Sequence, residues 1–154
     1  MLYGGDIMNE ITINETSINE YDDGYIKRIT HTYKNKLHNE NGPATISYLS
    51  DSTRYREEYW INGIRHRSDG PAFIQYDQSD VCRELYFYNG IQCDVNKTLY
   101  EYNDLKLHIY QSKELQEFYG NKILINRSTK LSNKEKLELH EINDSRILLE
   151  QLTM

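Results

Sequence analysis

The sequence has few of the residues that mark disulfide-rich, proline-rich or membrane-spanning proteins. Its 154 residues include two cysteines, two prolines and one tryptophan. No apolar run approaches the roughly 18 residues of a membrane-spanning helix. The start, MLYGGDIMNE, lacks the basic and apolar segments of a secretory signal. We therefore expect one domain without a membrane span, located in the cytoplasm.

The two cysteines are too few to form a disulfide framework. A two-residue hairpin at Asn89-Gly90 places Cys93 opposite Tyr86, several residue pairs away from Cys82. For a cytosolic protein we therefore predict two reduced, partly buried thiols.

Positive charge is in deficit, with 18 basic against 24 acidic residues and a net charge of −6. This balance argues against nucleic acid or an anionic membrane as the partner, because both need a basic surface. The five histidines are dispersed, and no His-x-x-x-His, His-Glu-x-x-His or Cys-x-x-Cys spacing is present. We expect no metal, no cofactor and no catalytic residue.

Tyrosine is abundant, with 14 copies against three phenylalanines, and it favours strands in sheets whose faces are partly wet. Turn signals recur about every 12 to 15 residues, the rhythm of short strands joined by hairpins. Asn62-Gly63 and Asn89-Gly90 are the strongest, because a type I′ turn needs positive φ at both central positions. The other signals are Asp22-Asp23-Gly24, Lys34-Asn35, Ser50-Asp51-Ser52, Asp77-Gln78-Ser79, Asn103-Asp104 and Gly120-Asn121. The pattern predicts a mainly β protein built as an antiparallel hairpin meander.

Two segments of the chain recur. GPATISY at 42–48 matches GPAFIQY at 70–76 with an offset of 28, and REEYWINGI at 56–64 matches RELYFYNGI at 83–91 with an offset of 27. We divide the chain into a weakly patterned segment 1–20, hairpin repeats over 21–127 and a segment 128–154. The clear units cover about residues 24–49, 52–77 and 80–95 and become degenerate after that. Ile11 and Ile13 alternate with polar residues and predict a short strand.

Pairing around the Asn62-Gly63 turn sorts the side chains onto two faces. One face carries Tyr59, Ile61, Ile64 and His66, and the other carries Glu58, Trp60, Arg65 and Arg67. The equivalents of the first set in the neighbouring units are Tyr33, His38, Tyr88 and Cys93. We predict that this first face is the buried one. The strands that follow Gly-Pro add further residues to the same layer: Ala44, Ile46, Tyr48, Ala72, Ile74 and Tyr76.

The central motif, WINGIRHRSDGPA at 60–72, resembles the MORN repeat family. It is most similar to a divergent variant, roughly W-x-x-N-G-x-x-H-R-x-D-G-P-A, found in phage, giant-virus and some bacterial proteins. The resemblance covers about residues 24–95 and implies a sheet of antiparallel hairpin repeats. The first unit departs from the motif at Asn39 and Asn41, and the third lacks the histidine and the Gly-Pro-Ala element.

Most of this motif has a structural explanation. Asn-Gly and Asp-Gly-Pro are turn chemistry, and a histidine that recurs at equivalent sheet positions suits a packed ladder residue better than a catalyst. The residues that we assign to the repeat framework are Gly42, Pro43, Asn62, Gly63, His66, Asp69, Gly70, Pro71, Asn89 and Gly90.

The last third of the chain has a weaker pattern. Residues 98–102 and 105–110 alternate like strands around Asn103-Asp104, and residues 114–119 and 123–126 predict another hairpin, with a helix over 112–119 as the alternative. Ser132 with Glu135 forms a capping box. It predicts a C-terminal α-helical cap, interrupted at 143–145, that covers the open end or one face of the sheet.

The second face of the central hairpin is the candidate binding surface, because Trp and Arg dominate interface hot spots. Either the C-terminal helix covers this face, or a partner does, or it stays open to solvent. We assign partner binding to Trp60, Arg65, Arg67, Leu85 and Phe87, with a Trp60–Arg65 cation–π pair and a Glu58–Arg67 ion pair among them. The favoured hypothesis is a non-enzymatic protein-binding module, and the resemblance implies a phage or viral protein that modulates a host defence protein. The alternative is a binder of a small anionic ligand or nucleotide on the same face. An enzyme using His66 and Asp69 is a third hypothesis, and homo-oligomerisation stays open.

Overall fold

A computed structural model describes residues 14–95 and 101–152. In these ranges the strands are β1 (Asn14–Glu20), β2 (Ile26–Tyr33), β3 (Lys36–Leu37), β4 (Thr45–Tyr48), β5 (Arg54–Glu58), β6 (Trp60–Ile61), β7 (Ile64–Arg65), β8 (Phe73–Asp77), β9 (Asp80–Tyr88) and β10 (Ile91–Cys93). The helices are α1 (Tyr102–Gln111), α2 (Leu115–Arg127) and α3 (Asn133–Leu152). The strand predicted at Ile11 and Ile13 lies outside the described residues.

The strands follow one another across an antiparallel sheet. Eight strands form the main sheet in the order β1-β2-β4-β5-β8-β9-β10, with β3 paired to β2, and β6 pairs with β7 as a separate hairpin. The prediction of a mainly β antiparallel meander with helices at the C-terminal end is confirmed.

Local turn chemistry sets the hairpin registers. Asn62 and Gly63 have φ values of 50° and 78°, and Asn89 and Gly90 have values of 48° and 80°, as type I′ turns require. Trp60 pairs with Arg65 and Cys93 pairs with Tyr86. The registers predicted for these two hairpins are confirmed.

Successive hairpins are joined by equivalent backbone hydrogen bonds. The Gly63 N–H donates to the Leu37 carbonyl, and the Gly90 N–H donates to the Arg65 carbonyl. In the same way the Asn39 N–H donates to the Trp60 carbonyl. The matching contact one unit later is Arg67 N–H to the Phe87 carbonyl. The recurrence in the sequence is therefore also a recurrence of contacts.

The main sheet and the adjoining β6–β7 hairpin have two chemically different faces. The tyrosine face carries Ile46, Glu57, Tyr59, Ile74, Tyr76, Tyr86 and Tyr88, and the arginine face carries Arg28, Arg56, Glu58, Trp60, Arg65, Phe73, Arg83, Leu85 and Phe87. Ala44, Ala72, Ile74 and Tyr86 are buried, in agreement with the predicted inner face. Ile64 does not follow that prediction, because it lies beside the turn at the hairpin tip and stays 51% exposed.

The strands predicted at 105–110, 114–119 and 123–126 are wrong, because the chain forms α1 and α2 there, and α2 overlaps the alternative helix predicted over 112–119. Residues 98–100 of the first predicted strand lie outside the described residues. Gly120 is a packing residue and not a turn residue: a Cβ on it would lie 2.0 Å from the Asp94 carbonyl oxygen. Asn121 is buried, and its Nδ2 donates to Ser112 Oγ and to Asn143 Oδ1, each at 3.0 Å. The same amide pair explains why α3 continues without the predicted interruption at 143–145.

The predicted capping box at Ser132 and Glu135 is confirmed by two reciprocal hydrogen bonds of 2.8 and 3.2 Å. The three helices share a small core of their own. Its buried members are Leu105, Ile109, Leu124, Ile125, Leu131 and Leu139. None of the described helices is long and apolar enough to cross a membrane.

The helices dock on the tyrosine face at the end of the sheet. Ile123 packs against Tyr86 and Cys93, and the Tyr119 ring stacks on Tyr88 with centroids 5.2 Å apart. This position places the helices on the side of β9 opposite to Leu85 and Phe87. Of the described helices, none takes the predicted alternative position over the arginine face.

Candidate interaction surface

Arg65 lies in a cage of three aromatic rings on the arginine face. Its guanidinium carbon is 4.7 Å from the Trp60 centroid, 5.1 Å from Phe87 and 5.6 Å from Phe73. Positions within about 6 Å of a ring face allow cation–π attraction. The predicted Trp60–Arg65 pair is therefore confirmed, and the cage includes two further rings.

Glu58 neutralises this arginine. Its Oε2 accepts a hydrogen bond from Arg65 Nη2 at 2.6 Å, and its Oε1 lies 3.6 Å from Arg56 Nε. The predicted ion pair between Glu58 and Arg67 is wrong. The β6–β7 pairing ends at Arg65, and beyond it the Arg67 side chain turns to Tyr59, Asp69 and Pro71 of the same unit.

Arg67 lies away from the other predicted binding residues. Its guanidinium is 4.2 Å from the Tyr59 centroid, its Nε donates to Asp69 at 2.9 Å and its Nη1 donates to the Pro71 carbonyl at 3.3 Å. In the first unit, Asn39 Nδ2 donates to the Pro43 carbonyl at 3.1 Å. Arg67 therefore holds the turn before β8.

Leu85 and Phe87 are brought together with the cage. Leu85 pairs with Phe73 across β8 and β9, and Phe87 contacts Arg65 as described. Phe73 was missing from the predicted site. The signal was available, because strand alternation puts Phe73 on the face opposite to Ala72 and Ile74.

The side chains of the cage are half-buried, and two of their nitrogen atoms lack a hydrogen-bond partner among the described residues. Trp60 Nε1 and Arg65 Nε are shielded from solvent and have no hydrogen-bond partner in the described part of the chain. Trp60, Phe73, Leu85 and Phe87 are all half-buried. The cage therefore offers the half-buried apolar area of its rings to a ligand that lies across it.

His66 and Asp69, the residues of the enzyme hypothesis, have separate structural partners. His66 Nδ1 accepts the Asn89 N–H at 2.9 Å, and Asp69 binds Arg67. Burial lowers the pKa of His66, which favours the neutral acceptor. Both residues line a groove of about 480 Å³ with Tyr59 and Arg67. In the described ranges no group of three His, Cys, Asp or Glu side chains is placed to hold a metal ion.

Glu57 is a buried carboxylate that sequence reasoning did not find. It lies on the tyrosine face, 5% exposed, where it binds Arg54 and accepts a hydrogen bond from the Tyr59 hydroxyl at 3.4 Å. Burial, and to a smaller extent the charge of Glu57, raises the pKa of Tyr59. The alternation of residues 56–60 was the available signal, and these contacts make Glu57 part of the framework.

The free thiols differ in exposure: Cys82 is exposed and Cys93 is buried. The prediction of two partly buried thiols is therefore correct only for Cys93.

Comparison with known proteins finds no family model, no curated protein and no solved structure that matches this chain.

Proposed function

We propose that this chain is a non-enzymatic module that binds another protein through its arginine face. The observation that carries the proposal is the gathering of Trp60, Phe73 and Phe87 around Arg65 on the side away from the docked helices. Trp and Arg are enriched at the residues that dominate binding energy in protein interfaces.

The cage is preorganised for such contact. Glu58 and the three rings hold Arg65 in one position, so binding would cost little additional side-chain entropy. A partner would cover the exposed edges of the aromatic rings. This chemistry requires no reaction and no cofactor.

The alternative, a small anionic ligand held by Arg65, is less well supported. A bound anion would have to displace Glu58, whose carboxylate is 2.6 Å from the guanidinium. Charge-assisted pairs of this length are among the stronger hydrogen bonds in proteins. The cage therefore favours a partner that adds apolar contact over one that adds negative charge at Arg65.

We also propose that the hairpins form a MORN-like repeat. It is supported by the contacts that recur between successive hairpins, such as Gly63 to Leu37 and Gly90 to Arg65. The setting that the resemblance implies is a phage or viral protein that acts on a host defence protein in the cytoplasm.

The test is affinity purification from the native host with the wild-type chain, Trp60→Ala and Leu137→Ala. Leu137 is 62% exposed on α3 and serves as the matched control. We expect one captured protein whose affinity falls at least about 30-fold in Trp60→Ala, the loss typical of a hot-spot residue. It should be unchanged in Leu137→Ala.

Each variant is first checked by circular dichroism and thermal unfolding. If Trp60→Ala is not folded, Phe87→Leu, which keeps apolar volume but removes a ring, takes its place. Equal capture by the wild type and a folded cage variant would overturn the proposal.

A further inference from the structure

A row of six paired residues crosses the arginine face, one from each of the strands β1, β2, β4, β5, β8 and β9. The register pairs Asn19 with Arg28, Arg28 with Ser47, Ser47 with Arg56, Arg56 with Gln75, and Gln75 with Arg83. Every second member from Arg28 onward is an arginine, and none of the six is acidic.

The three arginines occupy equivalent positions in the three units. Arg28 and Arg56 are separated by 28 residues, and Arg56 and Arg83 by 27, the same offsets that relate the hairpins. Neighbouring strands lie about 4.8 Å apart, so successive arginines are spaced by about 10 Å and the row spans about 19 Å. The repeat therefore produces an evenly spaced set of positive charges.

The ends of the row are open. Arg28 and Arg83 are both exposed. Arg28 Nε donates to Ser47 Oγ at 3.3 Å, and the Arg83 guanidinium carbon is 5.9 Å from the Phe73 centroid. These contacts orient the two side chains without neutralising them.

Arg56, in the middle, is half-buried and lies 5.5 Å from the Tyr55 centroid. Among the described residues it forms an ion pair with Glu58, at 3.6 Å, and Glu58 makes a closer pair with Arg65 at 2.6 Å. The row therefore keeps a net positive charge in a chain whose net charge is −6.

We propose that the Arg28–Arg56–Arg83 row binds an acidic segment of the protein partner. This inference rests on the proposed function and adds the chemistry of the partner. Arginine pairs with carboxylates through two parallel hydrogen bonds. Phe73 and Leu85, in the adjacent row, continue this surface to the cage around Arg65.

The spacing also suits a polypeptide. A helix rises about 10.5 Å in seven residues, so acidic side chains two turns apart on one helix face match the interval between successive arginines. The net charge of −6 disfavours nucleic acid, whose dense phosphate charge would be repelled by the chain as a whole. An acidic protein segment carries fewer charges and meets less repulsion.

The test measures binding of a fluorescent 21-residue helical peptide with glutamate at every seventh position, in a background of alanine and glutamine. A second peptide has glutamine in place of each glutamate, and a single-stranded DNA oligonucleotide is the third probe. We expect the full chain to bind the acidic peptide alone, with an affinity that falls as salt rises.

Two sets of variants locate the binding. Arg28→Gln with Arg83→Gln should weaken binding by about fivefold for each arginine, the upper end for exposed ion pairs. Gln75→Glu, which adds a carboxylate between two arginines, should weaken it without harming the fold. The matched control, Lys113→Gln with Lys134→Gln, removes the same charge from two exposed helical-region lysines and should change nothing.

The inference is overturned if the wild type does not bind the acidic peptide, if DNA binds instead, or if the lysine control loses as much affinity as the arginine variant. The proposed function can fail separately. If a partner is captured through Trp60 and its affinity does not change in the arginine variants, the proposed protein-binding function stands and the acidic-segment inference fails.

Discussion

The Nδ1 atom of His66 accepts a hydrogen bond from the backbone N–H of Asn89 at 2.9 Å. In the preceding unit, His38 Nδ1 accepts the Asn62 N–H at 3.0 Å. Each histidine therefore holds the turn of the next hairpin, and its Nδ1 must be unprotonated to do so. The His66 ring also meets Tyr88 edge-on, with centroids 4.6 Å apart.

Replacing His66 with alanine should destabilise the fold. The change removes the acceptor of the Asn89 N–H, a net loss of about 0.5–1.5 kcal/mol for one hydrogen bond, and it also removes the contact with Tyr88. Urea unfolding measures the difference. His108→Ala, on α1, is the control and should shift the free energy of unfolding by less than about 0.5 kcal/mol. Equal stability of the two variants would contradict the role assigned to His66.

Stability should fall as the solution becomes acidic. Burial lowers the pKa of His66 below its ordinary value of 6.5. Burial and then the nearby Lys122 lower the pKa of His140 in the same direction. Below pH 6.5 the unfolded chain binds more protons than the folded one, so this stability is complete above pH 6.5 and is lost as pH falls through the folded pKa values.

Free energies of unfolding at pH 7.5 and 5.5 test this prediction. The drop between them should be smaller in a His66→Gln, His140→Gln double variant than in the wild type. If both proteins lose the same amount, other groups control the pH response.

Gly120→Ala should be destabilising although alanine is the better helix former by about 1 kcal/mol. The new Cβ would meet the Asp94 carbonyl oxygen at 2.0 Å, and overpacking against backbone costs at least about 2 kcal/mol. Gly42→Ala is the matched control, since its Cβ would meet Asn39 Nδ2 at an ordinary 3.6 Å. Thermal unfolding compares the two, and a Gly120→Ala protein as stable as Gly42→Ala would show that α2 does not approach Asp94 this closely.

The two thiols should react at different rates. Burial raises the pKa of Cys93 to about 11, so at pH 8 only about one thiol in a thousand is the reactive thiolate. Cys82 is exposed. Mass spectrometry after brief iodoacetamide treatment should find label on Cys82 alone, and both sites should react in denaturant. Early labelling of Cys93 in the native protein would contradict its burial under Ile123.

Local signals predicted the hairpins well, because a type I′ turn at Asn62-Gly63 and strict alternation depend only on neighbouring residues. They failed for α1 and α2, where Gly120 and Asn121 look like a turn. Gly120 is required by a backbone 26 residues earlier, and Asn121 by Asn143 in another helix. These two requirements arise from packing between distant segments, so the residues next to Gly120 and Asn121 in the sequence do not reveal them.

The candidate surface was predictable in part. Trp60 and Arg65 face each other across one hairpin, so their pairing followed from the register. Arg67 was misplaced because the chain bends after the hairpin pairing ends, where Arg67 clamps Pro71 in the same unit. The arginine row needed the full strand order, which the offsets of 28 and 27 alone do not establish.

The histidine-to-turn contact has a consequence for the size of the molecule. In the third unit Cys93 stands where a histidine would be, and Tyr119 stacks on Tyr88, so growth of the sheet stops at the helices. If residues 52–79 were duplicated in tandem, the hairpin turn of each copy would meet the histidine Nδ1 acceptor of the unit before it. The duplication would widen the main sheet by about 10 Å. It would also add a fourth arginine to the row. The number of copies, and not any single residue, therefore sets the length of the arginine row.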